Sequence, residues 1–225
     1  MTSWNFIFPQ MQLLDFAGPY DVFTTSNHIT VHLIGETLEP IKTTNHIRLN
    51  PQFDCNTVPK LDILCIPGGK GVNALLENET VLKFIQSQAQ TTHYISSICT
   101  GSLVLGAAGV LKGYKATSHW SAVEYLPYFS AIPKNDRVVI DKNIITAGGI
   151  TAGIDFGLFI IQHLISLEEA QKVQLILQYD PHPPLDCGTP EKAPQNIVKD
   201  LKTPNFINDQ SKRIAELFKK NHETL

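Results

Sequence analysis

One stretch of the chain, residues 94–113, constrains the possible fold more than any other. It opens with the apolar run YISSI, passes through Cys99, and continues directly into the small-residue helical pattern LVLGAAGVL. A strand that enters a helix through one tight turn, with small residues two positions before and after the central residue, is typical of a nucleophile elbow. Ser97 and Gly101 occupy those two positions. The pattern predicts an α/β fold in which Cys99 is a nucleophile.

The predicted position of Cys99 at the amino end of a helix bears on its reactivity. The helix dipole and free backbone N–H groups there favour the thiolate, so we expect the pKa of Cys99 to lie below the ordinary value of about 8.5. The other cysteines lack such a setting. Cys65 lies in the apolar run LDILCIP, whereas Cys55 and Cys187 lie in turn-rich segments. We therefore expect Cys99 to react with alkylating reagents before the other three.

Composition excludes several classes of function. The chain has 225 residues and a formal charge of −3, and no run of basic residues predicts contact with nucleic acid. Its first residues do not have the pattern of a signal peptide, and no apolar stretch is long enough to predict a membrane span. Four cysteines without a regular spacing fit a reducing compartment. The expected location is the cytoplasm.

Strand-like and helix-like segments alternate along the chain, which predicts a three-layer α/β sandwich around a mainly parallel sheet. Residues 1–190 are expected to form one domain, and residues 191–225 an extension with one helix, at about 209–219, rather than a separate domain. Predicted strands lie at 4–8, 30–35, 61–66, 94–98 and 116–119, hairpins at 41–49 and 137–146, and helices at about 19, 72–90, 101–111, 122–128, 152–165 and 167–179.

Four chemically useful features follow predicted strands: Asp15, the Gly68–Gly69 pair, Cys99 and His119. Ligands of parallel sheets bind beyond the carboxyl ends of the strands, so these features are expected to converge. Glycines let backbone N–H groups approach a ligand, and the residue after the nucleophile is the usual second donor of an oxyanion hole. Gly69 and Thr100 are therefore the predicted donors, with Gly68 beside them.

Four segments together, DFAGPYDVF, IPGGKGV, ICTGSLVLGAAGVLKGYKATSHW and GGITAGIDF, resemble the ThiJ/PfpI superfamily. This superfamily is a branch of the flavodoxin-like, class I glutamine-amidotransferase-like fold, and the chain is most similar to its isonitrile hydratases. The resemblance implies a cytoplasmic homodimer without metal or organic cofactor. It also implies that Cys99 is the nucleophile, that Asp15 is the catalytic acid, and that Thr100 forms a hydrogen bond near the ligand.

The implied reaction is cysteine-dependent hydration of a small molecule, an isonitrile, to an N-substituted formamide through a thioimidate on Cys99. Two alternatives remain open. The same motifs occur in the amino-terminal domains of AraC-type transcription regulators, but only about 45 residues follow Tyr179, too few for their DNA-binding module. A stand-alone sensing domain therefore remains, as do other superfamily activities such as glyoxalase, deglycase or amidase chemistry.

The histidines add little to this prediction. A Cys–His pair would be an ordinary way to activate sulfur, so His119 is a candidate for the border of the site. Buried histidines are more commonly hydrogen-bonded to neighbouring groups, and the resemblance implies no catalytic triad. The eight histidines show no shared metal-ligand spacing, so no metal is predicted.

Overall fold

The computed structural model describes residues 1–202, which form a central sheet with helices on both faces. The strands are β1 (Thr2–Phe6), β2 (Thr30–Gly35), β3 (Ile41–Lys42), β4 (Arg48–Leu49), β5 (Phe53–Asp54), β6 (Ile63–Ile66), β7 (Tyr94–Ile98), β8 (Lys115–Ala116), β9 (Ile132–Pro133), β10 (Val138–Asp141) and β11 (Ile144–Ala147). The helices are α1 (Leu13–Thr25), α2 (Val72–Leu75), α3 (Glu79–Thr91), α4 (Gly101–Ala107), α5 (Ala152–Leu164), α6 (Leu167–Ile176) and α7 (Gln195–Leu201), with a 3₁₀ helix at Val123–Phe129.

The main sheet has seven strands in the order β10-β11-β7-β6-β1-β2-β5. All neighbouring strands are parallel except β10, which forms an antiparallel hairpin with β11 at one edge. All four residues of β6 are buried, as expected for a strand covered on both faces. The predicted three-layer sandwich with a mainly parallel sheet is confirmed.

Two apolar cores separate the sheet from the helices. One contains side chains of α3 and α4, among them Phe84 and Leu103. The other contains side chains of α1, α5 and α6. In this second core Phe23 and Phe156 meet edge to face with ring centroids 6.0 Å apart. Such a pair contributes about 0.5–1.5 kcal/mol beyond the area that it buries.

Helices α1 and α5 lie against each other at glycines. A Cβ at Gly157 would lie 2.8 Å from the side chain of Val22, closer than packed atoms allow. On the facing helix, a Cβ at Gly18 would lie 3.3 Å from Ile154. This close contact positions Asp15, in the first turn of α1, relative to the loop next to Cys99, which α5 follows.

The structure corrects several predicted boundaries. Helix α1 begins at Leu13, before the predicted start near residue 19, so Pro19 lies inside the helix and Asp15 in its first turn rather than in a loop. The chain enters the helix early because the N–H of Gln12 is fixed by the carbonyl of Gly68, at 2.8 Å. The single helix predicted after the PGGKG loop is two helices, since Asn78 caps a new one by accepting from the N–H of Val81.

The segment around His119 also differs from its prediction. The expected strand at 116–119 is shorter: β8 ends at Ala116 and pairs with β9, which was not predicted, in a separate two-stranded sheet. His119 therefore lies in a loop and not at the end of a strand of the main sheet. The predicted hairpins at 41–49 and 137–146 and the helical stretch near 122–128 are confirmed.

Within the carboxy-terminal extension, the structure shows the short helix α7, which was not predicted. The helix predicted at 209–219 lies outside the described residues. No helix in residues 1–202 combines the length and the apolar character that a membrane crossing requires.

Candidate active site

The elbow at Cys99 has the geometry that its sequence predicts. Cys99 joins β7 to α4 with a φ of 56°, in the left-handed region that is uncommon for residues other than glycine. Gly101 has no room for a side chain, because a Cβ there would lie 2.1 Å from the carbonyl oxygen of Ile66. Strain at a single non-glycine residue persists only where the surroundings hold it in place.

The backbone of Cys99 is held from both sides. Its N–H donates to the carbonyls of Ala147 and Gly148, at 3.0 and 2.9 Å. Its own carbonyl accepts from the hydroxyls of Ser102 and Ser118, at 3.2 and 3.0 Å. These four bonds explain how the strained turn is maintained. None of the four partners was predicted, although the Gly148–Gly149 pair after a strand was a signal of the same kind as Gly68–Gly69.

Asp15 lies fully buried beside the elbow. Its Oδ2 accepts a hydrogen bond of 2.9 Å from the N–H of Gly68, whereas its Oδ1 has no hydrogen-bond partner among the described residues. Burial raises the pKa of Asp15 to about 7, while the bond from Gly68 and the thiol of Cys99 act in the opposite direction. The carboxyl can therefore hold or release a proton near neutral pH.

Cys99 does not have the lowered pKa that the sequence predicts. Burial raises its pKa well above the ordinary value, the negative charge of Asp15 raises it further, and the N–H and hydroxyl of Thr100 lower it by less. The side chain is only 6% exposed, and α4 has only seven residues. A short helix dipole is thus outweighed by desolvation and by a neighbouring carboxylate. The expectation of a low thiol pKa is wrong for the free site.

Thr100 links the glycine loop to the sulfur. Its Oγ1 accepts from the N–H of Gly69, at 3.1 Å, and its hydroxyl and backbone N–H both interact with Cys99. Gly68 lies between these groups: a Cβ there would lie 2.6 Å from the nitrogen of Thr100 and 2.8 Å from Oδ2 of Asp15. The N–H groups of Gly68 and Gly69, expected to face a ligand, instead fix the acid and the threonine.

His119 is bonded to a neighbour and not to the thiol. Its Nδ1 lies 2.7 Å from the hydroxyl of Ser121, and burial lowers its pKa. It directly follows Ser118, and its ring lies 3.3 Å from where a Cβ of Gly149 would be. The site thus brings together Cys99, Asp15, Gly68 and Thr100. Within residues 1–202 no three His, Cys, Asp or Glu side chains group closely enough to hold a metal ion.

Known proteins share the fold and much of the sequence. The isonitrile hydratase of Pseudomonas putida is 48% identical over 196 residues, which cover 87% of this chain and 86% of the relative. A ThiJ/PfpI family protein from Pseudomonas syringae has a crystal structure that superimposes with a TM-score of 0.92, at 35% identity, over 96% of this chain and 90% of that one.

A transcription regulator gives a more limited match. The HTH-type regulator GbdR of Pseudomonas aeruginosa is 30% identical over 129 residues, but these cover 56% of this chain and only 34% of the regulator. The DJ-1/PfpI family model matches residues 5–163, a span that includes Asp15, the glycine loop and the Cys99 elbow. By fold and sequence, the chain belongs to the DJ-1/PfpI family.

Proposed function

We propose that the protein hydrates isonitriles to N-substituted formamides, with Cys99 as nucleophile and Asp15 as acid and base. The observation that carries this proposal is the buried pair itself: a thiol next to a carboxyl whose pKa is about 7 and whose Oδ1 has no hydrogen-bond partner among the described residues. The similarity to an isonitrile hydratase along most of both chains supports the choice of substrate class.

The first step needs a nucleophile and a proton at the same substrate atom. The terminal carbon of an isonitrile accepts a nucleophile and, as it does so, gains a proton. In the proposed step, ionised Asp15 takes the proton of the Cys99 thiol while sulfur attacks, and the carboxyl then passes that proton to the same carbon. One S–C bond and one C–H bond form and the S–H bond breaks, which gives a thioimidate, R–N=CH–S–Cys99.

The second step returns the enzyme to its starting state. Asp15, ionised again, removes a proton from water as the oxygen adds to the thioimidate carbon, and this proton passes to the substrate nitrogen. Collapse of the adduct breaks the C–S bond, the thiolate recovers the proton of the new hydroxyl, and the N-substituted formamide leaves. A carboxyl with a pKa near the working pH suits both roles. The interaction of Thr100 with the sulfur would stabilise the thiolate as it departs.

The decisive experiment measures formamide production by the purified protein with a panel of aliphatic and aromatic isonitriles, with methylglyoxal as a comparison substrate. In this mechanism kcat/KM rises as pH increases through about 7, because Asp15 must be ionised to accept the thiol proton. Replacing Asp15 by Asn is expected to reduce turnover by about 10²–10⁴-fold, as loss of a general acid–base does.

Absence of turnover with every isonitrile would reject the hydratase proposal. Near-normal turnover by Asp15→Asn would remove Asp15 from the mechanism and leave the substrate class in place. Turnover of methylglyoxal alone would favour the glyoxalase alternative.

A further inference from the structure

The Cys99 backbone depends on the loop between β11 and α5, residues 148–151. The carbonyl of Gly148 accepts the Cys99 N–H at 2.9 Å, and the N–H of Gly148 donates in turn to the carbonyl of Arg137, also at 2.9 Å. The N–H of Gly148 shares a peptide group with the carbonyl of Ala147, and the carbonyl of Gly148 lies in the next peptide group, so a displacement at Gly148 moves the two acceptors that hold the strained turn. Arg137 directly precedes β10, in the hairpin at the edge of the sheet.

Arg137 holds the same loop at its other end through its side chain. The guanidinium donates from Nη2 to the hydroxyl of Thr151, at 3.1 Å, and from Nε to Asp155 in the first turn of α5. The hydroxyl of Tyr179 donates to the same carboxylate, at 3.1 Å. One residue thus contacts the loop at its first residue with its carbonyl and at its last residue with its guanidinium.

We propose that Arg137 is a positioning residue for the nucleophile: by fixing both ends of the 148–151 loop, it keeps the carbonyl of Gly148 in place for the Cys99 N–H. The proposal deepens the proposed function, and its catalytic consequence rests on it. Arg137 takes no part in the reaction and acts only through the backbone of the elbow.

Because the Arg137–Asp155 pair is partly exposed, its effect on the position of Cys99 can be distinguished from its effect on folding stability. Both side chains are partly exposed, at 54% and 31%, and exposed ion pairs contribute little to folding stability. The effect on a reacting atom can be larger, because a shift of about 1 Å can reduce a rate by about 10²-fold. Loss of the guanidinium is therefore expected to affect catalysis more than stability.

The test compares Arg137→Met, Arg137→Lys and Thr151→Val with Lys192→Met. Lys192 forms a similarly exposed ion pair with Asp186, outside the elbow and its supporting loop. Lysine keeps the charge but not the forked geometry, so Arg137→Lys should recover part of what Arg137→Met loses. Thr151→Val removes one acceptor of the guanidinium and retains the shape of the side chain.

Two readouts are measured on each variant: isonitrile turnover, and the pH dependence of Cys99 alkylation by iodoacetamide, followed by peptide mass spectrometry. We expect Arg137→Met to lower kcat about 10-fold with little change in KM. We also expect a shifted pH profile for Cys99 alkylation, because the thiol moves relative to Asp15. Thr151→Val should change both in the same direction by less, and Lys192→Met should change neither.

An unchanged alkylation profile in Arg137→Met and Thr151→Val would overturn the proposal, whether or not activity falls together with Tm. The alkylation readout needs no isonitrile. If the wild-type protein shows no isonitrile turnover, the hydratase function is rejected. The alkylation profiles of the variants would still show whether Arg137 positions Cys99.

Discussion

Two buried thiols on neighbouring strands of this sheet show how a core cysteine differs from the proposed nucleophile. Cys65 lies within β6 and is 1% exposed; Cys99 follows β7 and is 6% exposed. Burial raises the pKa of Cys65 to about 12 and that of Cys99 well above its ordinary value. Burial and a raised pKa are therefore common to both, and neither identifies the nucleophile.

The difference lies in the neighbouring groups. Cys65 has regular strand geometry, and its thiol interacts with Ser96. Cys99 has a left-handed backbone, a hydroxyl from Thr100, and a directly interacting carboxyl that can accept its proton. If Cys99 is the nucleophile that we propose, the site activates it with a carboxyl beside a thiol, and not with a free thiolate in the resting protein.

The largest expected effect tests the comparison directly. Cys99→Ala should abolish isonitrile turnover, because the thiol of Cys99 forms a hydrogen bond with Asp15, whereas Cys65 is affected only by the charge of that carboxyl. Cys65→Ala is the matched control: it removes an equally buried sulfur one strand away and should lower Tm while leaving kcat nearly unchanged. Steady-state kinetics and thermal unfolding of both variants provide the measurement. Comparable loss of turnover in the two variants would contradict the distinction between them.

The second prediction concerns how much burial of the Asp15 carboxyl reduces the free energy of unfolding. The pKa of Asp15 is raised from 3.8 to about 7 in the folded protein. As pH rises, the unfolded chain therefore loses this proton at a lower pH than the folded protein does. Stability is consequently lost as pH rises between these two values, by up to about 4 kcal/mol for a shift of this size. Asp15→Asn should therefore raise Tm relative to the wild type at neutral pH. The difference in Tm between the two proteins should disappear below pH 3.8, where the carboxyl is protonated in both the folded and the unfolded wild type.

Asp21→Asn serves as a control for this measurement, because Asp21 lies exposed on the same helix. It is expected to leave Tm unchanged across the same range. A Tm of Asp15→Asn equal to or lower than that of the wild type at neutral pH would show that burying the carboxyl does not cost stability.

The smallest expected effect tests whether the hydroxyl of Thr100 contributes to turnover. Thr100→Val removes the hydroxyl that interacts with Cys99 and leaves the N–H of Gly69 without its acceptor. Hydrogen bonds to charged groups contribute about 1.5–3 kcal/mol, which corresponds to a loss in kcat of roughly 10-fold or more. Thr100→Ser keeps the hydroxyl and should retain most of the activity. Equal rates for the valine and serine variants would rule out a role for the hydroxyl.

The linear sequence predicts the components of the site better than their electrostatics. Asp15, Gly68, Cys99 and Thr100 each follow a strand of one parallel sheet, so local patterns were sufficient to place them together. The direction of the Cys99 pKa was not predictable in this way, because it depends on burial and on the distance to a carboxyl far away in the sequence.

The boundaries that were wrong have a related cause. The start of α1 depends on a bond between Gln12 and Gly68, and the end of β8 on its pairing with β9, which lies sixteen residues or more further along the chain. Such contacts become visible only when the chain is folded, since local propensity contains no information about them. Ser118 and Arg137 were missed for the same reason, since Ser118 reaches the Cys99 carbonyl, and Arg137 the neighbouring Gly148, from other segments of the chain. Ser102 is a local contact, three residues after Cys99, and was overlooked.

The glycine contact between α1 and α5 fixes how far Asp15 lies from the loop beside Cys99. Helix α1 carries Asp15, and α5 follows the loop that accepts the Cys99 N–H. The two helices pack so closely at Gly157 and Val22 that a side chain at Gly157 has no room. A larger side chain at Gly157 would therefore push the two helices apart and, with them, Asp15 and the loop beside Cys99.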